Sequence, residues 1–392
     1  MPTPLADVRV IDMASVFAAP GAARHLADFG ADVIKVEPPS GDPARRIGWI
    51  EEGDSDSLFW KLIGRGKRTV ELDLKQPDSR EILLRLVERS QVLVENMRPT
   101  KLEALGLAPD VLLARNPALV ILRITGFGQT GPYAMRPGFA TLAEAMSGWA
   151  DISGMADGQP LLPPVALTDE VAAMMGAFAT MVALRHAERT GEGQVVDLSL
   201  LETMLQLMGP LPSAYARLGY LQPRLGSGIP YTVPRGTYRC ADDVWVAIST
   251  SSDSVAARVL GLIGVAGDSR FASFKQRFDH RDELEEIVSG WIGVRHSEEV
   301  LRAFQEADAA IAPIYTMADV MADPHLAARD AIVEVDGVPM QGIAPKLSRT
   351  PGRVRFAGRT QGADTDAVLE ELRGDYRRPP ETPRTSYADA PE

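Results

Sequence analysis

The sequence predicts an α/β fold, a Rossmann-like doubly wound parallel sheet in a large domain, followed by a smaller α+β domain. Three observations carry this. Short β-branched runs alternate with segments of helical spacing over the first 200 residues. The first forty residues already read as strand, loop, helix and strand, a βαβ unit whose strands must be parallel. The chain is 392 residues long with 45% hydrophobic and 24% charged residues, an ordinary globular composition with material for two or three domains.

Taken in order, residues 8–13 and 31–37 are the first two strands. Between them lie a loop of small residues at 15–21 and a helix at 22–29 that stops at Gly30. The first loop lacks the G-x-G-x-x-G spacing of a dinucleotide site. A strand at 69–74 precedes a helix at 77–88, where Pro77 suits a first-turn position. A strand at 91–96, helical stretches around Leu102 and 111–114, and a strand at 119–124 follow. Residues 126–133 are too rich in glycine to be anything but loop. The longest helix spans 168–188, apolar on most faces and therefore expected to be buried; a strand at 194–198 returns after it. Residues 208–234 change to Pro, Gly and Tyr, reading as a connector. Strands at 236–240 and 244–248 and helices at 254–262, 281–291 and 297–307 make the second domain. Past residue 323 the chain is loop-rich, with one helix at 364–372 before a polar, Pro-rich tail expected to be disordered. The expected boundaries are 1–207 for the large domain, 208–234 for a linker and 235–322 for the small domain. Residues 323–392 return to the large domain and end in the tail.

Composition excludes several classes. No apolar run approaches the roughly 18 residues of a bilayer span, and the N-terminus lacks the basic flank and apolar stretch of a secretion signal. One cysteine, Cys240, precludes a disulfide framework or a Cys-cluster zinc site, and points to a reducing cytoplasm. A net charge of −12 argues against a nucleic-acid partner. The five histidines show no metal-ligand pairing, and there is no G-x-S-x-G elbow.

What remains is a carboxylate and a set of cations. Thr168 is placed as the N-cap of the long helix, which puts Asp169 in its first turn, where the helix dipole favours an ionised carboxylate. Such a group is either ordinary capping chemistry or a nucleophile toward an acyl carbon. Arg65, Lys67, Arg68, Lys75, Arg98 and Arg136 stand near strand ends or in the glycine-rich loop. In an open α/β sheet ligands bind at the strand carboxyl ends, and these cations suit either phosphates or solvent. Cys240 reads as a small mid-strand core residue.

An ordered set of short segments resembles one family over nearly the whole chain. They are Leu5-Ala6-Asp7-Val8-Arg9-Val10-Ile11-Asp12, Leu26-Ala27-Asp28-Phe29-Gly30-Ala31-Asp32-Val33-Ile34-Lys35-Val36-Glu37, Gly41-Asp42-Pro43, Gly66-Lys67-Arg68, Leu72-Asp73-Leu74-Lys75, Val94-Glu95-Asn96, Gly126-Phe127-Gly128, Arg189-Thr190-Gly191-Glu192-Gly193-Gln194 and Asp364-Thr365-Asp366-Ala367-Val368-Leu369. The resemblance is to class III CoA-transferases, the formyl-CoA and carnitine CoA-transferase type, with α-methylacyl-CoA racemase as a sister branch. It implies that Asp169 is the nucleophile, forming an aspartyl-CoA thioester. It also implies that CoA lies along Val16, Phe17 and Ala18, the stretch Leu72 to Lys75, Asn96, Met97 and Arg98, and Arg136 with Phe139. CoA and acyl-CoA would be substrates, with no permanently bound cofactor, a small carboxylic acid as acceptor, and no membrane partner. An interlocked, ring-like homodimer is implied, with residues 208–234 and 323–353 as the strands of the ring.

The chain departs from the family at Pro38 and Ala104, where some members carry arginines, and at Gly64, where they carry asparagine. The glycine-rich closing loop of some transferases has only Gly226-Ser227-Gly228 as a counterpart. The racemase branch needs a histidine in the segment Gly138-Phe139-Ala140, because proton transfer on both faces of an α-carbon takes two groups. Phe139 stands there. The alternatives to CoA transfer are a racemase-like isomerase and a catalytically silent acyl-CoA-binding protein.

Overall fold

The structure is a computed structural model that describes residues 3–374. Six strands, β1 (Arg9–Asp12), β2 (Asp32–Glu37), β3 (Lys67–Glu71), β4 (Val92–Glu95), β5 (Val120–Thr125) and β6 (Gln194–Ser199), form one sheet. All neighbours are parallel, in the order β3-β2-β1-β4-β5-β6. This is the doubly wound order, with its reversal between β1 and β4, the place where such sheets bind ligands.

Every residue of β1, β2, β4 and β5 is buried, as expected of strands covered on both faces. Alternation along β5 shows the two layers. Ile121 joins a core with Leu83, Leu86, Leu112 and Val368, whereas Leu122 and Ile124 face Gly176 of the long helix Leu167–Thr190. That helix lies against the first helix, Ala18–Asp28, so closely that a Cβ on Gly21 would come within 2.7 Å of the Ala173 Cβ.

Several elements differ from the sequence expectation. The first helix begins at Ala18, four residues early. Pro20 falls in its first turn, where an N–H has no helical partner and its loss costs nothing. β3 runs from Lys67 to Glu71, so residues 72–74 lie beyond the strand end. The long helix starts at Leu167 with Ala166 as N-cap and no side-chain cap, so Thr168 is inside it. Nor is it buried all round: Met174, Phe178, Met181 and Val182 are exposed. By length and composition alone this helix is long and apolar enough to cross a membrane, although its uncharged stretch, residues 171–184, is shorter than the roughly 18 residues of a span. It carries Asp169 and Glu170 in its first turn, and Ala172, Ala173, Gly176, Thr180, Ala183 and Leu184 are buried.

Residues 323–353 are not all loop. β10 (Ile332–Val335) and β11 (Val338–Gln341) make an antiparallel hairpin, turned by Asp336 and Gly337 at φ 51° and 79°. An Asp-Gly pair with both residues left-handed is a standard hairpin turn. Farther on, Asp364 accepts from the Thr69 N–H (2.9 Å) while its own N–H donates to the Thr69 carbonyl (2.9 Å). The C-terminal segment thereby pairs with the open edge of β3 before the last helix, Thr365–Arg373. The Pro-rich tail read from the sequence lies outside the described residues.

Among the described residues, 3–144, 164–207 and 328–374 form one compact unit, and 145–163 with 208–327 form a second. The second is built on the antiparallel strands β7 (Arg235–Arg239), β8 (Trp245–Ser249) and β9 (Ile311–Pro313). Val246, Ile248, Val259, Phe271, Leu284, Val288 and Phe304 are its core. β9 and the helix Leu211–Leu218, inside the expected connector, were not anticipated. Cys240 follows β7 instead of lying within it, and is buried; burial, then the neighbouring Asp242, raises its thiol pKa.

Candidate active site

In a parallel sheet all carboxyl ends share one edge, so the loops after β1, β3, β4 and β5 open on the same side. The long helix, which leads back to β6, starts at that edge. Four buried charges organise the loop after β1. Asp12, the last residue of β1, accepts from Lys67 Nζ (2.7 Å) through Oδ2 and from the Ala14 N–H (3.1 Å) through Oδ1. Lys67 Nζ also donates to the Pro20 carbonyl (2.7 Å). Lys35 Nζ pairs with Asp42 Oδ2 (2.7 Å), lies 3.7 Å from Asp12 and donates to the Ala14 carbonyl. Asp42 Oδ1 accepts from the N–H groups of Val16 (3.1 Å) and Ala44 (2.9 Å).

Buried charges of this kind persist only when paired. Burial and Lys35 bring Lys67 down to about 8 despite Asp12. For Lys35, burial works against the charged form, but Asp12 and Asp42 together outweigh it and its pKa is raised. Lys67 is therefore an internal residue and not a phosphate ligand. The same correction applies to Arg65, bonded to Asp28 (2.7 Å), and to Arg68, bonded to Asp32 (2.8 Å) and Glu371 (2.5 Å).

The loop after β5 is closed by two glycines. A Cβ on Gly126 would fall 2.6 Å from the Gly138 Cα, and one on Gly138 would fall 2.8 Å from the Gly126 Cα. Only a pair of glycines allows the backbones to touch. Gly126, Gly128 and Gly131 do carry the G-x-G-x-x-G spacing, which sequence reading passed over. They follow β5 instead of β1, and no helix opens until Ala140–Met146, so the spacing serves loop closure. That helix carries Glu144, buried at 4% exposure. Glu144 Oε1 accepts from Thr168 Oγ1 (2.8 Å), itself fully buried. Thr168 is thus a tether between two elements instead of a cap.

Asp169 comes next, third residue of the long helix and partly buried. Among the described residues it accepts no hydrogen bond and forms no ion pair. Burial, then the carboxylates of Glu144 and Glu170, push its pKa up to about 6. The expectation that the helix dipole dominates is therefore overturned, since desolvation and two like charges outweigh a first-turn position. Glu170 behaves oppositely. It lies 2.6 Å from Arg24 Nη2 and 3.0 Å from His25 Nε2, and these outweigh its desolvation to bring it down to about 2. Two adjacent acids therefore differ widely in basicity, a pattern associated with functional sites.

The other expected site residues fall on this edge as follows. Val16 has φ 68°, rare for a β-branched residue; Phe17 is the N-cap of the first helix and its ring meets Phe59 at 5.3 Å, while Ala18 is buried. Asn96 is joined to this loop by two bonds, Oδ1 accepting from the Ser15 N–H (2.9 Å) and Nδ2 donating to the Ser15 carbonyl (2.8 Å). The Met97 N–H donates to Glu95, whose carboxylate also holds Arg123 (2.5 Å). Leu72 packs into the core and its N–H is bonded to the Glu37 carbonyl. Lys75, Arg98 and Arg136 are exposed and make no ion pair among the described residues; the Arg136 guanidinium stacks over the Tyr133 ring at 3.8 Å. Phe139 is 73% exposed. Sequence reasoning missed Glu144, Asp42 and Lys35 as parts of the site's frame; a buried carboxylate inside a short helix leaves no periodic trace. No three His, Cys, Asp or Glu side chains among the described residues gather as metal ligands.

A doubly wound sheet with exposed cations and a carboxylate made basic by its setting at the carboxyl edge defines an α/β protein whose edge suits an anionic ligand. The sequence matches CoA-transferase family III over residues 5–365. The chain belongs to that family and is a CoA-transferase. It is 37% identical to the succinyl-CoA–L-malate CoA-transferase alpha subunit of Chloroflexus aurantiacus, across 94% of this chain and 89% of that one. It is 34% identical to the succinate–glutarate CoA-transferase of Agrobacterium fabrum, across 94% and 96%. A CAIB/BAIF family protein from Brucella suis has the same fold, with a TM-score of 0.84 and 31% identity over 95% of this chain and all of the other.

Proposed function

We propose that the chain moves CoA from a succinyl-CoA-type donor to a small dicarboxylic acid through an aspartyl-CoA thioester on Asp169. The donor and acceptor classes rest on the names of the two relatives. The residue assignment rests on one observation: Asp169 is a carboxylate with no partner among the described residues, made basic by burial and by Glu144. At pH 7 it is about ten parts ionised to one protonated, and it is a better nucleophile than an ordinary aspartate.

In the first step an Asp169 oxygen attacks the donor thioester carbon. The C–S bond breaks, giving an acyl–aspartyl anhydride and CoA thiolate. The thiolate attacks the Asp169 carbonyl carbon, releasing the donor acid and leaving the aspartyl-CoA thioester. The acceptor carboxylate attacks that thioester and expels the thiolate a second time. Return of the thiolate to the acceptor acyl carbon yields the product and restores Asp169. No net proton is exchanged, and each step trades one activated acyl bond for another.

Lys75, Arg98 and Arg136 are the cations that remain for the CoA phosphates. Val16, Phe17, Ala18, Leu72, Asn96, Met97 and Phe139 complete the binding edge in this reading. Racemisation lacks a second acid/base group at Phe139. The assembly is an interlocked homodimer, a reading supported by the family resemblance and by the exposed apolar face of the long helix at Met174, Phe178, Met181 and Val182. A cytoplasmic location fits the single, buried, free Cys240. Incubation with succinyl-CoA followed by hydroxylamine is expected to modify the peptide containing Asp169, and Asp169→Ala is expected to abolish exchange. Full transferase activity in Asp169→Ala would refute the assignment.

A further inference from the structure

Val16 adopts a left-handed backbone at φ 68°. A β-branched residue there is strained and stays only where its surroundings over-determine it. Here they do. The Val16 N–H is held by Asp42 Oδ1 (3.1 Å), and the flanking residues are held as well. Ala14 is bonded through its N–H to Asp12 and through its carbonyl to Lys35, and Ser15 through both backbone groups to Asn96. Asp42 is itself fixed by Lys35, by the Ala44 N–H, and by its own N–H to Glu37 (2.9 Å). Of these side chains only Asn96 belongs to the binding edge; Asp12, Lys35 and Asp42 are at most 2% exposed.

We propose that Asp42 is a positioning residue for CoA binding, its carboxylate clamping Val16 in the left-handed conformation that gives the Val16–Ala18 segment its binding shape. Lys35 orients the clamp by fixing the other carboxylate oxygen. This rests on the reading that Val16, Phe17 and Ala18 contact CoA. Removing the clamp lets Val16 relax toward negative φ and displaces the segment. The loss therefore falls on donor binding, while the chemistry at Asp169 proceeds once the donor is bound.

The test is a cycle between Asp42→Ala and Val16→Gly, read as KM for succinyl-CoA, kcat and equilibrium binding of free CoA. Asp42→Ala is expected to raise KM and weaken CoA binding about tenfold or more, with kcat within about threefold. Val16→Gly alone sets the baseline of the cycle, because it removes a side chain from the binding edge as well as the strain. Glycine occupies positive φ without cost, so the double variant should recover most of the loss. Asp42→Asn keeps an acceptor for the Val16 N–H but turns an amide N–H toward Lys35, so combined with Lys35→Met it should retain more CoA binding than a variant with no acceptor. If Asp42→Ala does not fold because Lys35 is left unpaired, Asp42→Leu with Lys35→Met removes the acceptor and the charge together and takes its place. Unchanged KM on removal of the acceptor, or a double variant no better than the single one, overturns the proposal. Absence of CoA binding by the wild type would instead overturn the functional reading beneath it.

Discussion

Replacing Asp169 with asparagine tests whether its carboxylate is strained by its setting. Moving its titration from an ordinary 3.8 to about 6 at about 1.4 kcal/mol per pH unit corresponds to roughly 3 kcal/mol held against the ionised form. Because the native pKa is the higher one, the unfolded chain binds fewer protons between the two values. Wild-type stability therefore falls as pH rises from about 4 to about 6, and the whole penalty is present above that. The asparagine amide carries no charge and escapes the penalty. Asp169→Asn should unfold at higher urea than wild type at pH 8, by up to roughly 3 kcal/mol, and the gap should close progressively from pH 6 to pH 4. Urea midpoints for both proteins across that series give the gap, since titrating groups not coupled to Asp169 cancel between them. A gap that ignores pH, or a variant less stable than wild type at pH 8, would refute the electrostatic account. The same variant should be inactive, so stability and activity move in opposite directions.

Three further outcomes follow from the geometry. Glu144→Gln removes the largest charged contribution to the Asp169 pKa but keeps an acceptor for Thr168; the acid limb of the kcat/KM profile should move to lower pH, and an unmoved limb would contradict it. On the proposed reading that Arg98 and Lys75 hold the CoA phosphates, Arg98→Ala or Lys75→Ala loses a charge-assisted contact of about 1.5–3 kcal/mol, raising KM for acyl-CoA by roughly tenfold or more at low salt and by less at high salt. Gly126→Ala sets a Cβ 2.6 Å from the Gly138 backbone. Overpacking of that kind costs about 1–3 kcal/mol, measurable as a lower unfolding midpoint, with activity falling further because the helix bearing Glu144 is displaced.

The doubly wound sheet was legible because buried parallel strands are written as short β-branched runs, and each run of that kind in residues 8–124 became a strand within a few residues. Asp169 was legible as a first-turn acid, but its basicity was not. That depends on Glu144, some 25 positions earlier, and on desolvation that no local pattern records. The run Arg65 to Arg68 reads in the sequence as either phosphate ligands or solvated charge at a strand start. Its acidic partners Asp28, Asp12 and Asp32 are some 36 to 55 positions away and meet it only once the first helix and the strands β1 to β3 are assembled. The hairpin at Asp336-Gly337 is a different kind of miss, since its turn residues were in plain view between two valines.

On the proposed reading, the wiring beneath the β1 loop bears on how a long, floppy cofactor-sized molecule can be captured by so small a patch. A segment pinned by Asp12, Lys35, Asp42 and Asn96 has surrendered its conformational freedom when the chain folds. Association then freezes the incoming molecule alone, and preorganisation of this sort strengthens capture without adding a single contact.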